Sequence, residues 1–278
     1  MNKRILFLMS DTGGGHRAAA QAIAEALHLL FPGQYDTVIE DVWKHHTPWP
    51  ISKLPGAYPW LAGPGRPLWK RIWSETARFQ AHRLIFWLLQ PLIKRTVIRY
   101  FSTIQPDLVV SVHPLMNHLG LKLINEAELT VPFVTVVTDM VAVHPTWICP
   151  GVTRCLVSTD LAREAAIRLG MPPEKLKVCG QPVSLKFATM AGDRFTCRQK
   201  LGLAVRRPTL LLMGGGEGRG PVFAIARSLA QGVPQAQLLI VTGRNKRLKA
   251  KLEGIRWEIP TWVYGFVENM PELIGAAD

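Results

Sequence analysis

Five apolar residues, Ile5 to Met9, run into Ser10-Asp11-Thr12 and then three glycines, Gly13 to Gly15, and His16, before an alanine-rich stretch begins. A short apolar run of this kind is a buried strand, and Ala18 to Leu27 consists mostly of strong helix formers, so the turn joins a strand to a helix. The first N–H groups of such a helix have no intrahelical partner and lie at the positive end of its dipole, which favours an anion or a phosphate. Glycines let a ligand come close. His16 is the unusual member of the turn, because cradling a phosphate does not call for a group that titrates near neutral pH.

The same alternation continues along the chain. Strands are expected at 5–9, 35–42, 107–112, 132–138 and 153–158, with helices at 17–30, 116–127 and 160–169 and a helical region over 70–100. The Pro- and Trp-rich stretch 43–69 receives no element. After Gly180-Gln181-Pro182-Val183 a second series follows, with helices at 194–201, 221–231 and 245–253 and strands at 208–213, 237–242 and 261–265. Strands alternating with helices indicate an α/β chain of two Rossmann-like domains, 1–180 and 181–278. The second has about three strands where such domains often have five or six, so it is expected to be incomplete.

Charged residues are only 19% of the 278, yet the net charge is +13. An excess of that size points to an anionic partner: nucleic acid, a membrane surface or a phosphorylated substrate. The four cysteines, at 149, 155, 179 and 197, show neither C-x-x-C pairing nor metal spacing, which fits free thiols in a reducing compartment. The longest lipophilic run, 84–93, contains Gln90 and Pro91 and is too short to span a bilayer, and the apolar run after Arg4 is too short for a signal peptide. The expectation is a chain that does not cross a membrane.

All eight histidines lie in the first 144 residues, and His16, His113 and His144 each follow an expected strand. In an open α/β sheet the carboxyl ends of the strands form the ligand crevice, so these three side chains are expected to converge there. Any of them could be a satisfied structural histidine, His113 and His144, which both precede a proline, more readily than His16 among its glycines. No metal site is expected, because no carboxylate or second histidine stands at ligand spacing. Gly13, Gly15 and Ala18 match G-x-G-x-x-G/A, and Glu40 and Asp41 end the second strand roughly where a dinucleotide ribose is read, which keeps an NAD-type oxidoreductase as an alternative. Against it stand His16 inside the turn and a second glycine run, 210–220, that lacks the spacing and is followed by a strand ending in Thr-Gly-Arg-Asn.

Segment 66–99 carries eight Lys or Arg against one acid, Glu75, and interleaves Trp69, Trp73, Phe79, Phe86 and Trp87. Cations beside large aromatic rings suit an interfacial segment on anionic lipid. The bland alternative is a core helix with a solvated basic face. Single-stranded nucleic acid stacked on the rings is a further alternative, disfavoured because the rings cluster within an otherwise aliphatic run.

Seven motifs in register, LMSDTGGGHRAAAQAIAEAL at the N-terminus, SVHPLMNH at 111–118, TVVTDMVAVHPTW at 135–147, VSTD at 157–160, LLMGGGEGRGP at 211–221, TGRN at 242–245 and YGFVENM at 264–270, resemble the monogalactosyldiacylglycerol synthases over nearly the whole chain. The resemblance implies a GT-B fold, with an N-terminal acceptor domain and a C-terminal nucleotide-sugar domain facing each other across a cleft. It implies inverting transfer of a sugar, galactose first, from a UDP-sugar to diacylglycerol at an anionic membrane surface, on the cytoplasmic face and peripherally, with no metal, no cofactor beyond the UDP-sugar substrate, and no nucleic acid. His16 matches the family's catalytic histidine; Asp139 is assigned a catalytic role too and, with His144 and Trp147, would line the acceptor side or an anionic-lipid contact. Gly214, Gly215, Gly216, Glu217, Arg244, Asn245, Phe266 and Val267 would surround the donor. Gly15, His113, His144, Trp147, Trp69, Trp73 and Trp87 would serve the acceptor or the lipid surface.

In that family the chain continues past residue 278 into a strand and a G-P-G-T motif that contacts the diphosphate. Two expectations follow: a piece of a longer enzyme, inactive as it stands, or a lipid-binding remnant without catalysis.

Overall fold

The computed structural model describes residues 2–12, 14–61, 63–78, 81–189 and 192–278, without the side chains of 54, 58, 59, 76–78 and 81–89. Expectations resting on Gly13, Phe79, Phe86 and the Trp87 ring lie outside the described residues. The chain forms two compact units, Met1–Ser184 and Leu185–Asp278.

The first unit runs β1 (Lys3–Met9), α1 (Gly15–Leu30), β2 (Tyr35–Asp41), α2 (Val42–His45), α3 (Leu54–Leu61), α4 (Arg66–Arg78), α5 (Ala81–Ile104), β3 (Leu108–Ser111), α6 (Pro114–Glu126), β4 (Phe133–Val136), β5 (Arg154–Val157), α7 (Asp160–Arg168) and β6 (Leu176–Val178). Its sheet is parallel throughout, in the order β2-β1-β3-β4-β5-β6. Strand order therefore reverses between β1 and β3. In open α/β sheets the crevice beyond such a switch point, at the carboxyl ends of the strands, is where ligands bind.

β1 shows why the sheet is covered on both faces. Its side chains alternate with a period of two, Ile5, Phe7 and Met9 packing with Ala20 and Ala24 of α1, and Leu6 and Leu8 packing into the larger core with Ile93, Val97 and Phe101 of α5 and Met116 and Leu123 of α6. Burying one side chain of this size is worth about 1.5–3 kcal/mol. Breaking the alternation would turn that gain into exposed apolar surface.

The second unit contains α8 (Lys186–Thr189), α9 (Arg194–Lys200), β7 (Thr209–Met213), α10 (Val222–Gly232), β8 (Gln237–Val241), α11 (Lys246–Glu253), β9 (Thr261–Tyr264) and α12 (Met270–Ala276). β7, β8 and β9 form a parallel sheet in that order. Leu238 and Ile240 face α10 and α11, and Leu239 and Val241 face α9 and α12.

Three differences from the sequence reading have simple causes. Region 70–100 is two helices, α4 and α5, with Pro91 inside the second. Stretch 43–69 holds short helices whose prolines include Pro67 in the first turn of α4, where a missing N–H costs nothing. β6 has only three residues, too few for a period to show.

Candidate active site

The turn after β1 is built to hold a helix start open. Gly14 caps α1 in the left-handed region, φ 83°, and offers no side chain to the first N–H groups. The turn is tied to the neighbouring strand: Asp11 N–H donates to Asp41 Oδ2 at 2.9 Å, and Asp41 Oδ1 accepts from Lys44 N–H at 3.0 Å. Arg17 forks onto Asp11 at 2.7 and 2.8 Å, and this hydrogen-bonded pairing lowers the Asp11 carboxyl. Glu40 is equally occupied, with His45 Nδ1 at 2.6 Å, Tyr100 Oη at 3.1 Å and His46 Nε2 at 3.4 Å. Burial alone would raise the Glu40 carboxyl, but the His46, His45 and Tyr100 contacts bring it down to about 2. Both acids at the end of β2 thus bind the chain itself, which removes the groups a dinucleotide ribose would need.

His16, the second residue of α1, stands at the switch point. Its ring meets His113 edge to face with centroids 4.5 Å apart, and lies 6.1 Å from Trp147. Burial lowers the His16 pKa from its ordinary value, against the Val112 carbonyl and the Asp139 carboxylate, which favour the imidazolium. Its Nδ1 is buried and has no hydrogen-bond partner among the described residues. A neutral imidazole with an unused nitrogen is the form a general base needs.

The two His-Pro pairs do similar structural work. His113 is the N-cap of α6, with Nδ1 accepting from Leu115 N–H at 3.3 Å and Nε2 against Thr12 Oγ1 at 3.2 Å. His144 caps the 3-10 turn Pro145–Trp147 through Thr146 N–H at 3.3 Å. In both, proline at the first helical position follows a capping side chain. Asp139 joins the pieces, its Oδ2 accepting from Trp147 Nε1 at 3.0 Å and from His144 N–H at 3.3 Å. The sequence reading had His16, His113 and His144 converge; in the structure His16 lies against His113 and Trp147, and Asp139 ties Trp147 to His144. It missed Thr12 and Thr146, whose hydroxyls lie 3.2 Å from His113 Nε2 and 2.7 Å from His144 Nδ1; no local pattern links Thr12 to a residue 101 positions away.

The Trp73 ring of α4 lies against that of His144, tilted by 39°, and 5.7 Å from that of Trp69. Leu68, Ile72 and Trp73 are exposed on α4 beside exposed Arg66, Lys70 and Arg71. Among the described residues no helix is long and apolar enough to cross a membrane, and no cluster of three His, Cys, Asp or Glu is placed to hold a metal.

In the second unit the turn after β7 folds onto the turn after β8. Arg244 N–H donates to Gly216 O at 2.8 Å, its guanidinium pairs with Glu217 at 3.0 Å and lies over the Phe266 ring at 4.5 Å, and Asn245 Nδ2 donates to Gly218 O at 3.0 Å. Gly214, Gly215, Gly216, Glu217, Arg244, Asn245 and Phe266 are therefore neighbours. Val267 is placed differently, packing against the core of this unit with Leu239 and Leu273.

Residues 16–183 match the family described as monogalactosyldiacylglycerol (MGDG) synthase. The chain is 42% identical over 285 residues to the monogalactosyldiacylglycerol synthase of Spinacia oleracea, covering 99% of this chain and 54% of that protein. It is 41% identical over 286 residues to monogalactosyldiacylglycerol synthase 1 of Arabidopsis thaliana, covering 99% and 53%. It thus spans about half the length of the curated relatives it matches. Among solved structures it is similar to Anabaena HepE in complex with UDP-glucose, at 15% identity and TM-score 0.57 over 99% of this chain and 72% of that one. It is also similar to sucrose-phosphate synthase of Thermosynechococcus elongatus, at 13% identity and TM-score 0.58 over 99% and 74%. At such identities the likeness concerns the fold alone, which is GT-B-like: α/β units on parallel sheets.

Proposed function

Because this chain belongs to the monogalactosyldiacylglycerol synthase family, we propose that it acts in inverting transfer of galactose from UDP-galactose to the free hydroxyl of diacylglycerol. The observation that carries the chemistry is His16: a part-buried, neutral imidazole at the start of α1, with a nitrogen no described residue uses.

The acceptor oxygen attacks the anomeric carbon from the face opposite the diphosphate and forms the new glycosidic bond. The bond from that carbon to the β-phosphate oxygen breaks, and its electron pair leaves with UDP. The hydroxyl proton passes to His16, and the Asp139 carboxylate favours the imidazolium so formed. No metal enters this account. The open N-terminus of α1 suits the charge that grows on the leaving diphosphate, and in the second unit the glycine turn, Arg244, Asn245 and Phe266 are the donor contacts. Exposed apolar and basic side chains on α4 support peripheral docking to anionic lipid.

The test is incubation with UDP-galactose labelled in the sugar and diacylglycerol in phosphatidylglycerol vesicles, using both the 278-residue chain and that chain completed with the remaining segment of a relative. Labelled β-galactosyldiacylglycerol from either supports the reading. Vesicle binding by both with no transfer by either would show a lipid-binding module instead.

A further inference from the structure

His113 is 4% exposed, and both its ring nitrogens are occupied. Nδ1 accepts the Leu115 N–H, so the ring proton sits on Nε2 and is donated to Thr12 Oγ1. Thr12 belongs to the turn that leads into His16, and Leu115 to the first turn of α6. The ring therefore bridges the carboxyl ends of two neighbouring strands, β1 and β3, and the His16 imidazole stands on it edge to face. A side chain so enclosed has no nitrogen left for a substrate.

We infer that His113 is a positioning residue, whose ring, pinned between Thr12 and Leu115, holds the His16 imidazole in place and away from water. The inference rests on His16 being the base. His113 itself stays neutral: burial pushes its pKa well below the ordinary value, and a proton on His16 would push it further. Around His16 the other groups are Asp139 and Trp147 from the segment after β4, and Asp11 and Arg17 on its own turn, which neutralise each other. Asp139 favours a charged His16 and the packing of His113 a neutral one. Removing the ring should tip that balance towards charge.

The experiment is an NMR titration of the 278-residue chain labelled at histidine Cε1, with the His16 signal identified by its loss in His16→Gln. The wild-type midpoint should lie below the ordinary 6.5. His113→Asn keeps an acceptor for the α6 cap but removes the ring, and should raise the His16 midpoint enough to increase its proton affinity about threefold or more. His113→Phe restores a ring and should return the midpoint towards the wild-type value. In enzyme that turns over, His113→Asn should lower kcat at unchanged KM for UDP-galactose. An unshifted His16 midpoint in folded His113→Asn overturns the inference, and so does a midpoint in folded His113→Phe that has risen to 6.5. The titration needs no turnover, so a His16 that titrates as described, with no galactolipid made by either the 278-residue or the completed chain, counts against the transferase reading alone.

Discussion

The Trp73 indole lies against the His144 imidazole with ring centroids 3.9 Å apart, and the Trp73 carbonyl accepts from His144 Nε2 at 3.2 Å. The basic helix α4 is thereby fastened to the segment that carries Asp139 and Trp147. Aromatic pairs in contact contribute about 0.5–1.5 kcal/mol beyond area burial, so a double-mutant cycle of Trp73→Ala and His144→Ala should show a coupling of that size in urea unfolding. Additive effects would mean that helix and site are independent.

The docking role proposed for α4 is tested on vesicles. Each cation near an anionic surface contributes about 1 kcal/mol. Lys70→Gln with Arg71→Gln should therefore weaken binding to phosphatidylglycerol vesicles by more than tenfold, and added salt should weaken the wild type in the same direction. Equal binding to neutral and anionic vesicles would contradict the electrostatic part.

His16→Ala should lower turnover by about two to four orders of magnitude while UDP affinity, measured by calorimetry, stays nearly the same. The proposed base must be neutral to accept a proton, and burial lowers the His16 pKa, so kcat/KM should rise with pH on a limb centred below 6.5. A mutant retaining more than a tenth of the rate would remove His16 from the mechanism.

The fold was legible wherever a strand was long and buried on both faces, as in β1, because a continuous apolar run followed by a glycine turn has few other readings. The glycine turns and His16 were legible for the same local reason. Asp41 was not. An acid ending β2 looks the same in sequence whether it reads a ribose or holds Asp11 N–H, and only the chain's return across 30 positions decides. His113 and His144 were legible as neighbours of the site but not as caps whose nitrogens are taken, because Thr12 reaches His113 from a distance of 101 residues. Short elements such as β6 depend on the edge they complete and carry no period of their own.

Gly218 has φ +58°, and a Cβ there would stand 1.9 Å from Thr242 O and 2.6 Å from Asn245 Cβ. Gly218→Ala must push away the turn that carries Arg244 and Asn245, at a cost of about 3 kcal/mol or more. Gly215 is also left-handed, φ +67°, but has open space, so Gly215→Ala should cost only about 1 kcal/mol. Hydrogen exchange of the β7 and β8 amides would rank the two variants. Equal protection in both would show that the contact between the turns relaxes freely.

Stability of the first unit should fall on mild acidification, and the sign follows from the buried histidines. His113 has a folded-state pKa well below 6.5 and His16 a lowered one, so at pH values just under 6.5 the unfolded chain binds more protons than the folded one. Their stabilisation is complete above about pH 6.5, where both states are neutral, and is lost progressively as the pH falls below it. Glu40 acts in a separate window. With a carboxyl at about 2 instead of 4.5, it adds stability above pH 4.5 that disappears as the pH falls through that interval. Urea midpoints taken from pH 8 downwards should therefore be level at first, decline as the pH drops below 6.5, and decline again below 4.5. His113→Phe removes one histidine's share, so its curve should be flatter than the wild type's as the pH falls below about 6.5. A wild-type midpoint that stays level down to pH 5 would show that the ring pair accepts protons in place and is not held neutral by its burial.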